Sequence, residues 1–309
     1  MENQNRLKLF HKQPLSNTII IVSIVILVLG ICVYIYVDQP YMLIRQFRND
    51  NPLIQQQAAD ELARMGERAI NPLIKASKDK EWKVRYYATE ALVKSKDPRV
   101  IDTLIFLLKD PEWNVRTKAC DWLGRTNDPK AIGALIDVIH TSQPGMDWLA
   151  YYGVTRNMPD FDPRKLDIAI EMLGHGGRMS YKNLYDDLRK YGKLAESKLI
   201  DELKSPNGAI KYGVFHAIEE LQITDAIPQL VNLLNDKNQS ARIRWPSTHA
   251  LGELGDKRVI PPLISVLNDK DSSVEYTAYH ALCKRTGQNF GHNQEKWKEW
   301  WKKNKNSFP

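Results

Sequence analysis

The chain has 309 residues, 43% hydrophobic and 26% charged, a balance that fits an ordered globular protein and excludes an intrinsically disordered one. Three cysteines, Cys32, Cys120 and Cys283, are too few for a disulfide framework, so stability has to come from packing. Of the formal charge of +7, +2 sits in residues 1–12 and +3 in residues 287–309, which leaves a near-neutral body and excludes a basic nucleic-acid footprint.

Residues 1–17 read as a short basic tail carrying Arg6, Lys8 and Lys12. Residues 18–37, TIIIVSIVILVLGICVYIYV, follow without a charge. At about 1.5 Å per residue such a helix spans about 30 Å, the hydrocarbon thickness of a bilayer. Tyr34 and Tyr36 sit near one end, where aromatic rings favour the membrane interface. The rival reading is a cleaved signal peptide, which has a shorter apolar run and small residues at the cleavage site. No alanine occurs before Ala58, and Ile31 stands where a lipoprotein-type signal ending at Cys32 needs a small residue, so a single-pass anchor is expected. Three cations before the span against Arg45 and Arg48 after it orient the N-terminus inside and the body on the extracytoplasmic side.

Beyond the span, the stretches EWKVRYYATEAL from Glu81 and EWNVRTKACDWL from Glu112 are near copies. The apolar residue eight positions after the Val recurs at Leu62, Leu92, Leu123, Val154, Leu188, Ile218, Leu251 and Leu282, in steps of 30 to 34 residues. A fixed period in this range, built of helical pieces, predicts a solenoid of about eight helical pairs over residues 39–286. The first stretch of each pair has apolar residues at helical spacing and often a Pro near its start, as in residues 98–110. The second carries a small residue at its fifth position, in Ala58, Ala88, Ala119, Ala150 and Ala278, where neighbouring helices approach closely. Residues 155–164 and 174–178 are expected to be loops that protrude from the stack.

The motif Asp79…Val84-Arg85…Ala88…Ala91-Leu92, repeated as Asp110…Val115-Arg116…Ala119…Leu123, resembles HEAT-like repeats of the short form named after phycocyanobilin lyases. The resemblance implies an all-α fold, a right-handed α-α superhelix. It also implies a hydrogen-bonded ladder between units made by the Asp and the Arg six residues later. Asp79 with Arg85 and Asp110 with Arg116 fit that ladder; Asp147 and Glu275 take the Arg position in the fourth and eighth units and are expected to break it.

Counting the Val of each second helix as 0, positions 2 and 6 point away from the core, at about 200° and 240°. Position 2 is aromatic at Tyr86, Trp148, Tyr212, Trp245 and Tyr276. Position 6 holds Tyr152, His216, His249 and His280 in later units and the acids Asp60, Glu90 and Asp121 in earlier ones. In HEAT-like repeats the second helix lines the concave face, so these residues are candidate walls of a groove for a protein or peptide partner of a membrane-associated complex. The alternative is that the rings pack on neighbouring units and serve only the stack.

A competing function is an enzyme, bilin-lyase-like or metal-dependent, using the His216/His249/His280 row. Against it, no His-Glu dipeptide of the HEAT-like di-iron type occurs, nor any phosphate loop or nucleophile elbow. No catalytic residue, metal, cofactor or small-molecule substrate is therefore expected. Residues 287–309 end the chain with Trp297, Trp300 and Trp301 on one helical face. That helix is expected to cap the last unit, the rival reading being a basic helix lying on a membrane surface.

Overall fold

Every regular element among the described residues is helical, and the helices come in antiparallel pairs. The computed structural model describes residues 17–141, 145–175 and 181–308. The basic tail with Arg6, Lys8 and Lys12, and residues 176–178 of the second expected loop, lie outside the described residues. The chain divides into two compact units, Met1–Ala119 and Cys120–Pro309.

The first unit contains α1 (Asn17–Arg45), α2 (Pro52–Arg64), α3 (Glu67–Ala76), α4 (Trp82–Ser95), α5 (Ile101–Leu107) and most of α6 (Trp113–Leu123). The second holds α7 (Pro129–His140), α8 (Met146–Asn157), α9 (Pro163–Met172), α10 (Lys182–Lys190), α11 (Lys193–Glu202) and α12 (Gly208–Leu221). It continues through α13 (Ile227–Asn235), α14 (Ala241–Glu253), α15 (Ile260–Ser265), α16 (Ser272–Thr286) and α17 (Gln294–Asn304). Odd-numbered helices from α1 to α15 supply the first member of each pair and even-numbered helices the second.

Asp and Asn open many of these helices because a side-chain oxygen can take an N–H that lacks an intrahelical partner. Asp97, Asp128, Asp162 and Asp256 each accept from the N–H two residues on. At Asp97, Asp162 and Asp256 the same carboxylate also pairs with the Arg at that position.

Packing of the second helices follows the repeat. Val84, Ala88, Ala91 and Leu92 are fully buried, as are Val115, Ala119 and Leu123. The fifth-position alanines Ala58, Ala88, Ala119, Ala150 and Ala278 are all buried, as their small size predicts. Where even alanine is too large, glycine takes over. A Cβ on Gly153 would stand 2.6 Å from the Gly124 Cα, and one on Gly213 would stand 2.1 Å from the Leu173 carbonyl oxygen.

The ladder forms at two steps, where the carboxylate lies one unit on, whereas Arg116 donates only to the Asp110 and Pro111 carbonyls. Arg85 donates to both carboxylate oxygens of Asp110 at 2.7 and 2.8 Å and to the carbonyls of Asp79 and Lys80 in its own unit. Arg244 repeats this, pairing with Asp269 and donating to the Leu234 carbonyl at 3.0 Å. Burial works to raise the pKa of Asp269, yet the Arg244 and Lys237 hydrogen bonds hold it well below the ordinary carboxylate range. In the first pair Gln55 stands in the Arg position and donates to the Phe47 and Asn49 carbonyls, while Arg48 reaches Asp79 at 2.5 Å. The expected breaks at Asp147 and Glu275 are instead reversed rungs. The acid stands where Arg would, and histidine faces it: Asp147 with His175 at 3.0 Å, and Glu275 with His292 at 3.1 Å.

One further expectation changes. Residues 155–157 continue α8, so the first predicted loop shrinks to a turn ending at Asp162, the cap of α9. At the start of the repeats, Pro40 lies inside α1 and is buried. Proline removes the N–H that would bond the carbonyl four residues back, at Tyr36. Arg68 of α3 donates to that carbonyl and stacks its guanidinium 3.2 Å from the centre of the Tyr36 ring. The helix thereby stays whole and becomes the first member of the first pair. Its earlier part exposes Ile19 through Val33, and the most apolar 18-residue window has mean hydropathy 3.0 with none of it buried. By length and composition α1 is the one helix among the described residues able to cross a bilayer.

At the other end α17 lies on α15. Trp297 is fully buried against Phe290, and its indole N–H donates to the Gly291 carbonyl at 2.9 Å. The Gln294 amide covers the Ile264 and Ser265 carbonyls, which end α15, at 2.8 and 3.0 Å. Trp300 and Trp301 turn inward against Phe308 rather than outward.

Replacing Arg85 by alanine leaves Asp110 buried without its cation, a change that costs about 3–5 kcal/mol. Urea unfolding followed by circular dichroism should show that loss, and a change below about 1 kcal/mol, the size of a surface ion pair, would contradict the rung's structural role.

Candidate functional site

The site is built from the outward side of α12, α14 and α16. Each helix buries the positions that face its partners, which leaves positions 2 and 6 one turn apart on the opposite side. The three aromatic residues at position 2 remain accessible: Tyr212 is 47% exposed, Trp245 37% and Tyr276 61%. Each ring rests against the histidine one turn on. The ring centres are 4.9 Å apart for Tyr212 and His216, 6.2 Å for Trp245 and His249, and 4.1 Å for Tyr276 and His280.

Neighbouring helices are fastened across this side. The Glu219 carboxylate is shared: His249 Nδ1 is 2.8 Å from one oxygen and His216 Nδ1 3.3 Å from the other. Lys284 of α16 meets Glu253 of α14 at 2.7 Å. The Glu219 hydrogen bond raises the His249 pKa above its ordinary value, against an opposing effect of partial burial. Glu219 was not among the residues singled out from the sequence. The signal available for it was the three-residue spacing from His216, which also places side chains on one helical face.

The remaining predicted residues divide. Tyr152 is half-buried, in reach of Trp148 and Tyr151. Trp148, expected to face outward, is only 3% exposed. Tyr151 of its own helix and Tyr181 ahead of α10 both meet it edge-on, and its indole N–H has no acceptor among the described residues. Trp148 is a packing residue. Tyr86, in the first compact unit, is half-buried between Trp82, Tyr87 and Lys118. The acids expected to make one end of the groove negative are neutralised. Asp60 is paired with Lys94 at 2.6 Å, Glu90 with Lys94 and Lys118, and Asp121 with Arg125 at 2.9 Å.

A feature the sequence reading missed lies beside Tyr212. Tyr181, Tyr185, Tyr212, His216 and Glu220 line a recess of about 710 Å³. Tyr181 and Tyr185 stack at 5.9 Å, and burial pushes the Tyr185 hydroxyl pKa up to about 12. The side therefore offers flat rings, imidazoles and a carboxylate at an open surface, chemistry suited to recognition. Among the described residues no group of three or more His, Cys, Asp or Glu side chains is placed to hold a metal ion.

Residues 42–110 and 196–285 match the family model described as HEAT repeats, just over half of the chain, and residues 100–125 match a second described as HEAT repeat. No curated protein matches. Among solved structures, human deoxyhypusine hydroxylase in complex with glycerol is 20% identical, with TM-score 0.34 and coverage of 84% of this chain and 100% of that one. The complex of CpcE and CpcF of phycocyanin lyase from Nostoc sp. PCC7120 is 17% identical, with TM-score 0.28, covering 84% and 94%. A designed armadillo repeat protein is 14% identical, with TM-score 0.27, covering 78% and 97%. At scores this low nothing of those proteins' activities transfers.

Because the folded pKa of His249 is raised, its ion pair with Glu219 contributes stability fully below the ordinary value of 6.5 and loses it as pH rises through the folded pKa. A ring-proton NMR titration should place His249 above 6.5, and Glu219→Gln should bring it down. A titration indifferent to that substitution would show that the shared carboxylate does not hold the two helices together.

Proposed function

The chain belongs to the HEAT-repeat family, and on that premise we propose that it is a membrane-anchored scaffold that holds a protein or peptide partner along the groove lined by its second helices. The observation that carries this reading is the row of Tyr212, Trp245 and Tyr276, accessible on three consecutive second helices. Large rings scattered singly on a polar surface are ordinary, whereas rings that recur on consecutive repeats are typical anchors. The histidines support the rings rather than a reaction: His216 and His249 share one carboxylate, and His280 lies between Tyr276 and Tyr279.

Anchoring rests on α1. A buried core helix would be covered by protein, and this one exposes its apolar side chains along the stretch that precedes the repeats. In water that surface is untenable, and a bilayer is the solvent it fits.

Replacing Tyr212, Trp245 and Tyr276 together by serine should leave helix content unchanged, because all three are accessible, while abolishing partner capture from a detergent extract. Capture that survives the triple substitution would move the binding surface elsewhere.

A further inference from the structure

The apolar stretch of α1 enters the repeats with no tether. Val37 is 57% exposed and Pro40, less than about one helical turn on, is already buried, so the outward apolar stretch runs directly into the packed body. The direction of the neighbouring helix is fixed by its contacts. Arg68, at the start of α3, meets Tyr36, and further along α3 Asn71 and Lys75 share a recess with Tyr41 and Ile44. The two helices therefore run the same way, with the start of α3 beside the end of the apolar stretch. The next pair keeps this level: Arg99, just ahead of α5, meets Glu67 at the start of α3 at 3.2 Å. The turns around residues 64–68 and 94–99 thus form one edge level with Tyr36.

That edge has cations to spare. Of its acids, Glu67 and Asp97 both go to Arg99, Lys94 is held by Asp60 and Glu90, and Asp38 and Glu61 are the two that form no ion pair among the described residues. Arg64, Arg68 and Lys96 form no ion pair among the described residues. Arg64 and Lys96 are exposed, and the Arg68 guanidinium is engaged only by a carbonyl and a ring. Three cations without an ion pair, against two such acids, stand where the helix leaves its apolar stretch, with a tyrosine ring at the same level.

We propose that this edge binds the headgroups of anionic lipids and seats the first repeats on the bilayer surface. The proposal rests on the reading of α1 as a membrane span. Lys and Arg within a few ångströms of an anionic surface are attracted to it, and their long stems let the charge reach the phosphate layer. Guanidinium groups pair with phosphate through two parallel hydrogen bonds. Pro40 and Arg68 then act together: one frees the Tyr36 carbonyl, the other uses it to hold the basic edge at headgroup depth.

The test places a photo-crosslinking benzoylphenylalanine at Met65, on this edge, or at Lys109, exposed at the opposite end of α5, in the full chain. Each variant is reconstituted in nanodiscs of phosphatidylcholine and phosphatidylglycerol, and lipid adducts are weighed by mass spectrometry. Adducts are expected at position 65, enriched in phosphatidylglycerol beyond its share of the disc, and absent at position 109. Arg64→Glu with Lys96→Glu, which leaves Arg68 and its contacts untouched, should remove the enrichment. No adduct at position 65, or adducts in proportion to disc composition, overturns the proposal while the span stands, provided that the chain stays in vesicles through an alkaline carbonate wash. Release of the chain by that wash would defeat the span and the proposal together.

Discussion

A buried arginine shared between two helical pairs ties one pair to the next at two steps of this chain. Arg85 gives part of its guanidinium to carbonyls that open its own second helix and the rest to the Asp that opens the next. Arg244 and Asp269 repeat the arrangement in the second compact unit. At other steps the chemistry differs: Gln55 and Arg48 divide the arginine's two tasks, Asp147 and Glu275 each face a histidine, and Arg116 bonds only the Asp110 and Pro111 carbonyls.

From that constraint the two sides of the second helices follow. One side meets its neighbours at alanine and glycine distance, close enough that Gly213 lies against the Leu173 carbonyl. The other is left to water and is free to vary. In α12, α14 and α16 that free side carries an aromatic residue and a histidine each, tied across helices by Glu219 and by the Lys284–Glu253 pair. The rings are therefore presented on a braced surface, which lowers the entropy lost when a partner docks. The same stacking logic takes in α1, whose last turns serve as the first member of the first pair, so that the apolar stretch and the start of the repeats share one continuous helix.

Much of this was legible in the sequence, because the period, the fifth-position alanines and the Asp and Arg of each unit are local features with a single structural meaning. The family match on both arms of the chain agrees with them. What was hidden depended on contacts between residues distant in sequence. Trp148 has the spacing of an outward residue and is buried because Tyr181, 33 positions on, closes over it. The choice of Glu219 over Glu220 turns on a small difference in helical phase. His175 stands 28 residues after Asp147, against 25 for Arg85 and Asp110, so the reversed rung falls out of register with the motif. The place of Pro40 inside α1 likewise depends on Arg68, which comes from another helix and occupies the freed carbonyl.

The central claim is that one side of the second helices is sealed by stacking while the other is open to a partner. Hydroxyl-radical footprinting of the isolated protein, read residue by residue in a mass spectrometer, tests it most directly. Rapid oxidation of Tyr212, Trp245 and Tyr276 together with protection of Trp148, Tyr151 and Trp297 is the predicted result. Trp148 oxidising as fast as Trp245, or Tyr276 as protected as Trp297, would contradict it.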